Sequence, residues 1–153
     1  MSELTVRISS PAEFAELRVA PPTPTGESQP FWDAIAAGRL LVQRCTGCGL
    51  AQGHPRRRCT RCWSDALSWE ESSGRATIVT HSLVHRPGQQ PWAAVAPYYV
   101  GLVRLAEGAV MLTHLLTDGT TPRVGDACQL APTRVGEWVL PFFRLDPVAA
   151  TPS

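Results

Sequence analysis

The sequence predicts a mainly β protein in which a helical arm and a compact cysteine-rich module precede a five-stranded barrel. Three observations carry that expectation. Two C-x-x-C pairs, Cys45/Cys48 and Cys59/Cys62, stand with ten residues between them. Five short runs of alternating, β-branched character follow them, the texture of half-buried strands. Fourteen prolines and twelve glycines among 153 residues favour turns and short strands over long helices. A hydrophobic content of 44% is enough for a packed core.

The elements follow in order. Ser10-Pro11-Ala12-Glu13 is a helix start: Ser10 caps, Pro11 suits the first helical position, and Glu13 completes a capping box. The helix must be short, because Pro21-Pro22-Thr23-Pro24 cannot continue it. Residues 1–29 therefore read as an N-terminal arm, with 19–29 an extended tether. A second short helix fits Pro30 to Ala37, with Phe31, Ala34 and Ile35 on one face and Gly38 as its stop. Leu40-Leu41-Val42 then leads as a strand into the cysteine cluster, so that 30–67 form a helix and a zinc ribbon.

The barrel spans 68–146. Its strands are expected at Ala76–Val84, Tyr98–Leu105, Val110–Leu116, Cys128–Pro132 and Val139–Leu145. Ala106-Glu107-Gly108 turns a hairpin, Pro87–Pro97 forms a proline-rich loop around Trp92, and Thr117–Gly125 forms another. Five such strands after a small metal module point to a Greek-key barrel of OB type. Residues 147–153 read as a loose tail.

Composition excludes some function classes. The net charge is +1, which gives no global attraction to nucleic acid or anionic membrane. All fourteen basic residues are arginine, so no lysine Schiff base is available. The start of the chain lacks the basic and apolar regions of a signal peptide. No stretch approaches the roughly 18 apolar residues of a membrane span. The expected compartment is the cytoplasm, where paired cysteines read as metal ligands sooner than as disulfides.

Cys45, Cys48, Cys59 and Cys62 offer four soft ligands from two tight turns, which suits tetrahedral zinc. A redox dithiol, an iron centre and a site without its metal are the competing readings. Four thiolates leave no open position for hydrolytic chemistry. Gly49 provides the left-handed residue after the first knuckle. Trp63 stands where its counterpart is expected, so the second knuckle is expected to differ in detail. His54 is a conceivable substitute ligand that four cysteines make unnecessary. Cys128, in an apolar segment, reads as core rather than as a nucleophile.

Arg56, Arg57, Arg58 and Arg61 lie between and within the knuckles. Three readings stay open for them: a nucleic-acid surface, a solvated ribbon tip, or a docking surface for an acidic partner or a phosphorylated cofactor. Few basic residues in the barrel segment oppose the first. His81 and His85 share a strand face about 13 Å apart, too far for one metal. No nucleophile-base order, phosphate loop or H-E-x-x-H motif is present, and His114, a lone histidine on a strand, reads as structural or surface-exposed. Trp92, taken as exposed, suggests an interface anchor.

Further motifs carry a resemblance. Pro30-Phe31-Trp32-Asp33, Gly38-Arg39-Leu40-Leu41 and Gln43-Arg44-Cys45 open it. Pro55-Arg56, Ser73-Gly74-Arg75, Val84-His85-Arg86 and Pro97-Tyr98 continue it. Val103 to Gly108, Val124-Gly125-Asp126 and Pro141-Phe142-Phe143-Arg144 complete an ordered set across about residues 22–146. The chain thereby resembles a family that joins a rubredoxin-like zinc ribbon to an OB-fold and accompanies thiolase-like or lipid-transfer-protein-like enzymes. The resemblance implies a non-catalytic accessory subunit, docked on such an enzyme dimer as a heterotetramer and helping to form its CoA channel. It also implies structural zinc and an acyl-CoA thioester at the interface, with carbon–carbon bond cleavage or formation performed by the partner. Arg56, Arg57, Arg58, His85, Arg86, Trp92 and Tyr98 are the candidates for CoA binding or docking. The alternative is a nucleic-acid-binding zinc-ribbon/OB module.

Overall fold

The computed structural model describes residues 6–147. Most of the expected tail, and the first five residues of the arm, lie outside the described residues.

Helix α1 (Pro11–Ala15) begins as its sequence predicts. The Glu13 amide donates to Ser10 Oγ at 3.3 Å, and the Ser10 amide donates to Glu13 Oε2 at 2.7 Å, closing the capping box. Phe14 and Leu17 are buried, and they hold the arm against the barrel. Helix α2 (Gln29–Ala36) buries Phe31, Ala34 and Ile35, and Gly38 stops it at φ +81°.

Strand β1 (Leu41–Cys45) is the centre of a small antiparallel sheet. It pairs on one side with β2 (Ala51–Gln52) and on the other with β3 (Leu67–Glu71). Register runs from Leu41 opposite Glu71 to Cys45 opposite Leu67. The second knuckle is thereby tied back to the first by backbone hydrogen bonds.

The barrel comprises β4 (Arg75–Val84), β5 (Tyr98–Leu105), β6 (Val110–Leu116), β7 (Ala127–Val135) and β8 (Trp138–Leu145). It closes in the order β4-β5-β6-β8-β7 and back to β4. All neighbours are antiparallel except β6 and β8, where Leu115 lies opposite Phe143 in parallel register. This is the five-stranded closed barrel that the sequence predicts. Strand β7 runs to Val135, past its expected end at Pro132. Its pairing with β4 stops at Gln129, so Pro132 sits where that edge has no partner and its missing N–H costs nothing there. The proline-rich loop carries a 3-10 helix (Gln90–Val95), which ends before a cis Ala96–Pro97 bond.

One apolar core joins ribbon and barrel. Phe31, Leu40 and Val42 pack with Ile78, Val103, Leu105, Leu115 and Phe143. Cys128 belongs to this core at 2% exposure, and burial, then Asp146 and Asp126, push its thiol up to about 11. That suits a packing residue rather than a nucleophile. A polar clasp covers the seam. Arg44 reaches Glu70 Oε2 at 2.5 Å, the Gly49 carbonyl at 2.9 Å and the Glu107 carbonyl at 3.0 Å. The Glu107 carboxylate in turn accepts from the Ser72 and Ser73 hydroxyls.

Gly101 marks the tightest point of the barrel wall. A Cβ there would lie 2.4 Å from the Thr80 carbonyl oxygen and 2.8 Å from Leu115 Cδ1. The contact is with backbone, beside a bulge between Ile78 and Thr80, so it cannot relax by turning a side chain. Gly101→Ala should cost about 2–3 kcal/mol in urea unfolding through overpacking, while Gly88→Ala, in open space, should cost little.

Candidate metal centre and apolar cleft

The two knuckles place all four sulfur atoms within 4.8 Å of one another. Cys45 Sγ lies 3.5 Å from Cys62 Sγ, and Cys48 Sγ lies 3.5 Å from Cys59 Sγ. A disulfide needs about 2.05 Å, whereas the edge of a zinc–thiolate tetrahedron with 2.3 Å bonds is about 3.8 Å. The spacing and the donor set therefore fit zinc. Backbone amides turn toward the sulfurs: Cys48 N–H donates to Cys45 Sγ at 3.4 Å, and Arg61 N–H donates to Cys59 Sγ at 3.4 Å.

The knuckles close in the same way despite their different residues. Gly49, at φ +80°, donates to the Cys45 carbonyl at 2.8 Å. Trp63, at φ +64°, donates to the Cys59 carbonyl at 3.0 Å. The expected difference in knuckle geometry is absent; Trp63 adopts the glycine conformation.

The electrostatics of the four sulfurs are compatible with a shared cation. The Leu50 amide, and then the Arg61 guanidinium, pull the Cys48 thiol down to about 6 against desolvation, so it is a thiolate at neutral pH. Although the Ser64 amide pulls Cys62 down, its hydrogen bond to Cys45, burial and the other two sulfurs push it up to about 11. Four thiols this close cannot all ionise unaided. A divalent ion held by all four would supply the missing charge and, with its shell closed, would serve structure rather than chemistry.

A second feature lies between α2, the ribbon and the barrel. It is a cleft of about 810 Å³ with a mainly apolar lining that includes Trp32, Trp92, Tyr98, Met111, Leu112 and Phe142. Its floor is His114. The imidazole stacks between Tyr98 (4.6 Å, 22°) and Phe142 (4.5 Å, 12°), and Phe14 meets it edge-on at 5.2 Å. Burial pushes His114 down to about 4, so it is neutral at physiological pH. Thr113 beside it donates to the Pro141 carbonyl at 2.8 Å.

The candidate residues separate into groups. Trp92 and Tyr98 come together, with ring centroids 5.9 Å apart in the cleft wall. Trp92 is half-buried, not exposed, because the 3-10 turn folds it inward beside His114. Arg56, Arg57 and Arg58 are exposed on the ribbon, where Arg57 Nε pairs with Glu27 at 2.9 Å. His85 and Arg86 are exposed just past β4, and neither lines the cleft. His54 lines the cleft and lies outside the cysteine cluster. The sequence reading missed Trp32, Leu112, Phe142 and His114 as one surface. They come from three separate elements, and no local pattern marks their convergence.

Two outcomes test this geometry. With zinc bound, the four knuckle thiols should resist a thiol reagent under native conditions. A chelator should release one zinc per chain and expose four thiols, while buried Cys128 reacts only on global unfolding. The second concerns His114. Between its ordinary value of 6.5 and about 4, the unfolded chain binds a proton that the folded chain refuses. Stability should therefore be complete above pH 6.5 and fall by on the order of 3 kcal/mol as pH drops through that window. Urea titrations should show most of this slope vanish in His114→Phe.

Comparisons with known proteins agree with this architecture. Residues 32–68 match the ChsH2 rubredoxin-like zinc ribbon domain, and residues 69–131 match the ChsH2 C-terminal OB-fold domain. The chain is 30% identical over 122 residues to a probable enoyl-CoA hydratase alpha subunit of Thermomonospora curvata, a match covering 74% of this chain and 36% of that protein. The chain thus spans about a third of the length of that relative. Among solved structures it is similar to a chain of an Ltp2-ChsH2(DUF35) aldolase, with TM-score 0.69 and 28% identity, over 82% of this chain and 98% of that one. A DUF35-family protein of unknown function from Sulfolobus solfataricus shares the fold, with TM-score 0.57 and 14% identity over 79% and 86% of the two chains. The two domain matches run without a gap from residue 32 to residue 131, and the chain belongs to the ChsH2 family of rubredoxin-like zinc-ribbon and OB-fold proteins.

Proposed function

We propose that this chain is an accessory subunit of a thiolase-like or lipid-transfer-protein-like enzyme that cleaves or forms a carbon–carbon bond in an acyl-CoA. The observation that carries the reading is its likeness to a chain of the Ltp2-ChsH2(DUF35) aldolase over 98% of that chain's length. The name of the Thermomonospora relative, an enoyl-CoA hydratase subunit, supports acyl-CoA chemistry as the wider setting.

The residues support an auxiliary role. A closed four-thiolate shell leaves no coordination site for substrate. The cleft presents apolar walls and a neutral, stacked imidazole, without a nucleophile hydrogen-bonded to a base. The partner would therefore supply the reacting groups. This chain would dock through the ribbon and α2, with the loop 85–98 lying near the CoA arm. Among the described residues Arg56, Arg58 and Arg86 form no ion pair. Arg86, beside the loop 85–98, would offer its guanidinium fork to phosphate oxygens, and Arg56 and Arg58 would serve the docking face of the ribbon. Trp92 and Tyr98 would border the apolar part of the channel. Two copies on an enzyme dimer would make a heterotetramer.

The exposed Arg56–Arg58 run favours one rival, a nucleic-acid-binding ribbon/OB module. A tagged chain should retain a stoichiometric thiolase-fold enzyme from a native extract, identified by mass spectrometry, and the complex should turn over acyl-CoA. A well-behaved monomer without affinity for any such enzyme would overturn the proposal. Binding to single strands that weakens steeply between about 50 and 200 mM salt would establish the rival instead.

A further inference from the structure

Trp63 combines two features that stability alone does not explain. Its backbone is left-handed at φ +64°, the only non-glycine residue with positive φ among those described. Its side chain is 72% exposed, the one aromatic among the exposed large hydrophobic residues. The first knuckle carries Gly49 at the equivalent position and closes with the same hydrogen bond, so the turn has no need of an indole. A bulky side chain there strains the backbone and gains little burial in return. Strain of this kind collects where a surface has a task.

The surroundings indicate what that task involves. Arg58 Nη1 donates to the Trp63 carbonyl at 3.0 Å, and Arg61 Nη2 donates to the Cys48 carbonyl at 2.7 Å. These bonds tether two guanidinium groups to the backbone of the two knuckles while leaving other donors free. Arg56 is exposed on the same loop, with its amide anchored to Gln43 Oε1 at 2.8 Å. The tip thus carries one exposed aromatic on a knuckle whose loop also exposes Arg56, Arg58 and Arg61. Tryptophan and arginine on a preorganised support are the residues that dominate protein interfaces.

We infer that Trp63 is the anchor by which the ribbon tip docks on its enzyme partner, inserting into an apolar socket rimmed by carboxylates that meet Arg56, Arg58 and Arg61. The inference rests on the accessory-subunit reading and names the docking residues within it. A protein socket suits the tip better than a nucleic acid. Stacking of successive bases needs several exposed aromatic platforms, and Trp63 is the sole exposed tryptophan, tyrosine or phenylalanine among the described residues.

Trp63→Gly separates docking from folding. The variant should keep one zinc per chain and unfold at a temperature equal to the parent or about 2–5 °C higher, because the strain is relieved. Its affinity for the thiolase-fold enzyme retained by the parent should fall at least tenfold. Arg56→Glu should weaken the same complex, and raised salt should narrow the difference between this variant and the parent. Unchanged affinity in Trp63→Gly would overturn the inference, as would loss of zinc or of stability, which would make the indole structural. If the parent bound a labelled oligothymidine and Trp63→Gly did not, the tip would be a nucleic-acid platform and the inference would fall. Failure of the parent itself to retain any such enzyme would instead remove the accessory-subunit reading on which the inference stands.

Discussion

Four sulfur atoms held within 4.8 Å are the constraint on which the rest of the molecule depends. They repel once ionised, and a shared cation turns that repulsion into the bond that closes both knuckles. Around the sulfurs the ribbon offers little apolar material. Its sheet is three strands, one of them two residues long. What packs beneath it, Leu40 and Val42, belongs to the core it shares with the barrel. Metal and barrel therefore stabilise the ribbon from opposite ends.

The seam between the two modules is a packed joint rather than a linker. Phe31, Leu40 and Val42 are buried in the core shared with the barrel, and the Arg44 clasp bridges the same seam with directional bonds. Arg44 lies next to Cys45, so the metal loop and the Glu107 turn are connected through one side chain. A partner pressing on the ribbon tip would find it backed by the barrel. The cleft lies along this same seam, so its walls come from α2, the ribbon and the barrel together.

Much of this architecture was legible in the residues, for physical reasons that differ between elements. The cysteine spacing is a local signal, since each C-x-x-C turn carries its geometry within five residues. The Ser10–Glu13 box and the Gly38 stop are equally local, and both formed as expected. The barrel strands were readable because alternation marks a surface buried on one face. Strand β3 was not, because Leu67-Ser-Trp-Glu-Glu is short, partly buried and charged, and only pairing with β1 defines it. The cleft was not, because Trp32, Trp92, His114 and Phe142 meet only after closure. His114 shows the limit well. Its neutrality depends on two rings from distant strands, which no window around residue 114 contains.

The parallel contact between β6 and β8 has a consequence for how the chain is made. Strands β4, β5 and β6 emerge from synthesis as a simple meander, but Leu115 waits for Phe143 before the wall beside it is complete. Until then β6 presents an unpaired edge, with Leu112 already facing solvent. The ribbon has no such delay, since all of its strands precede residue 72. Birth order therefore divides the molecule into an early, metal-ready half and a late-closing half. The nascent chain is most exposed to edge-to-edge aggregation in the interval between them.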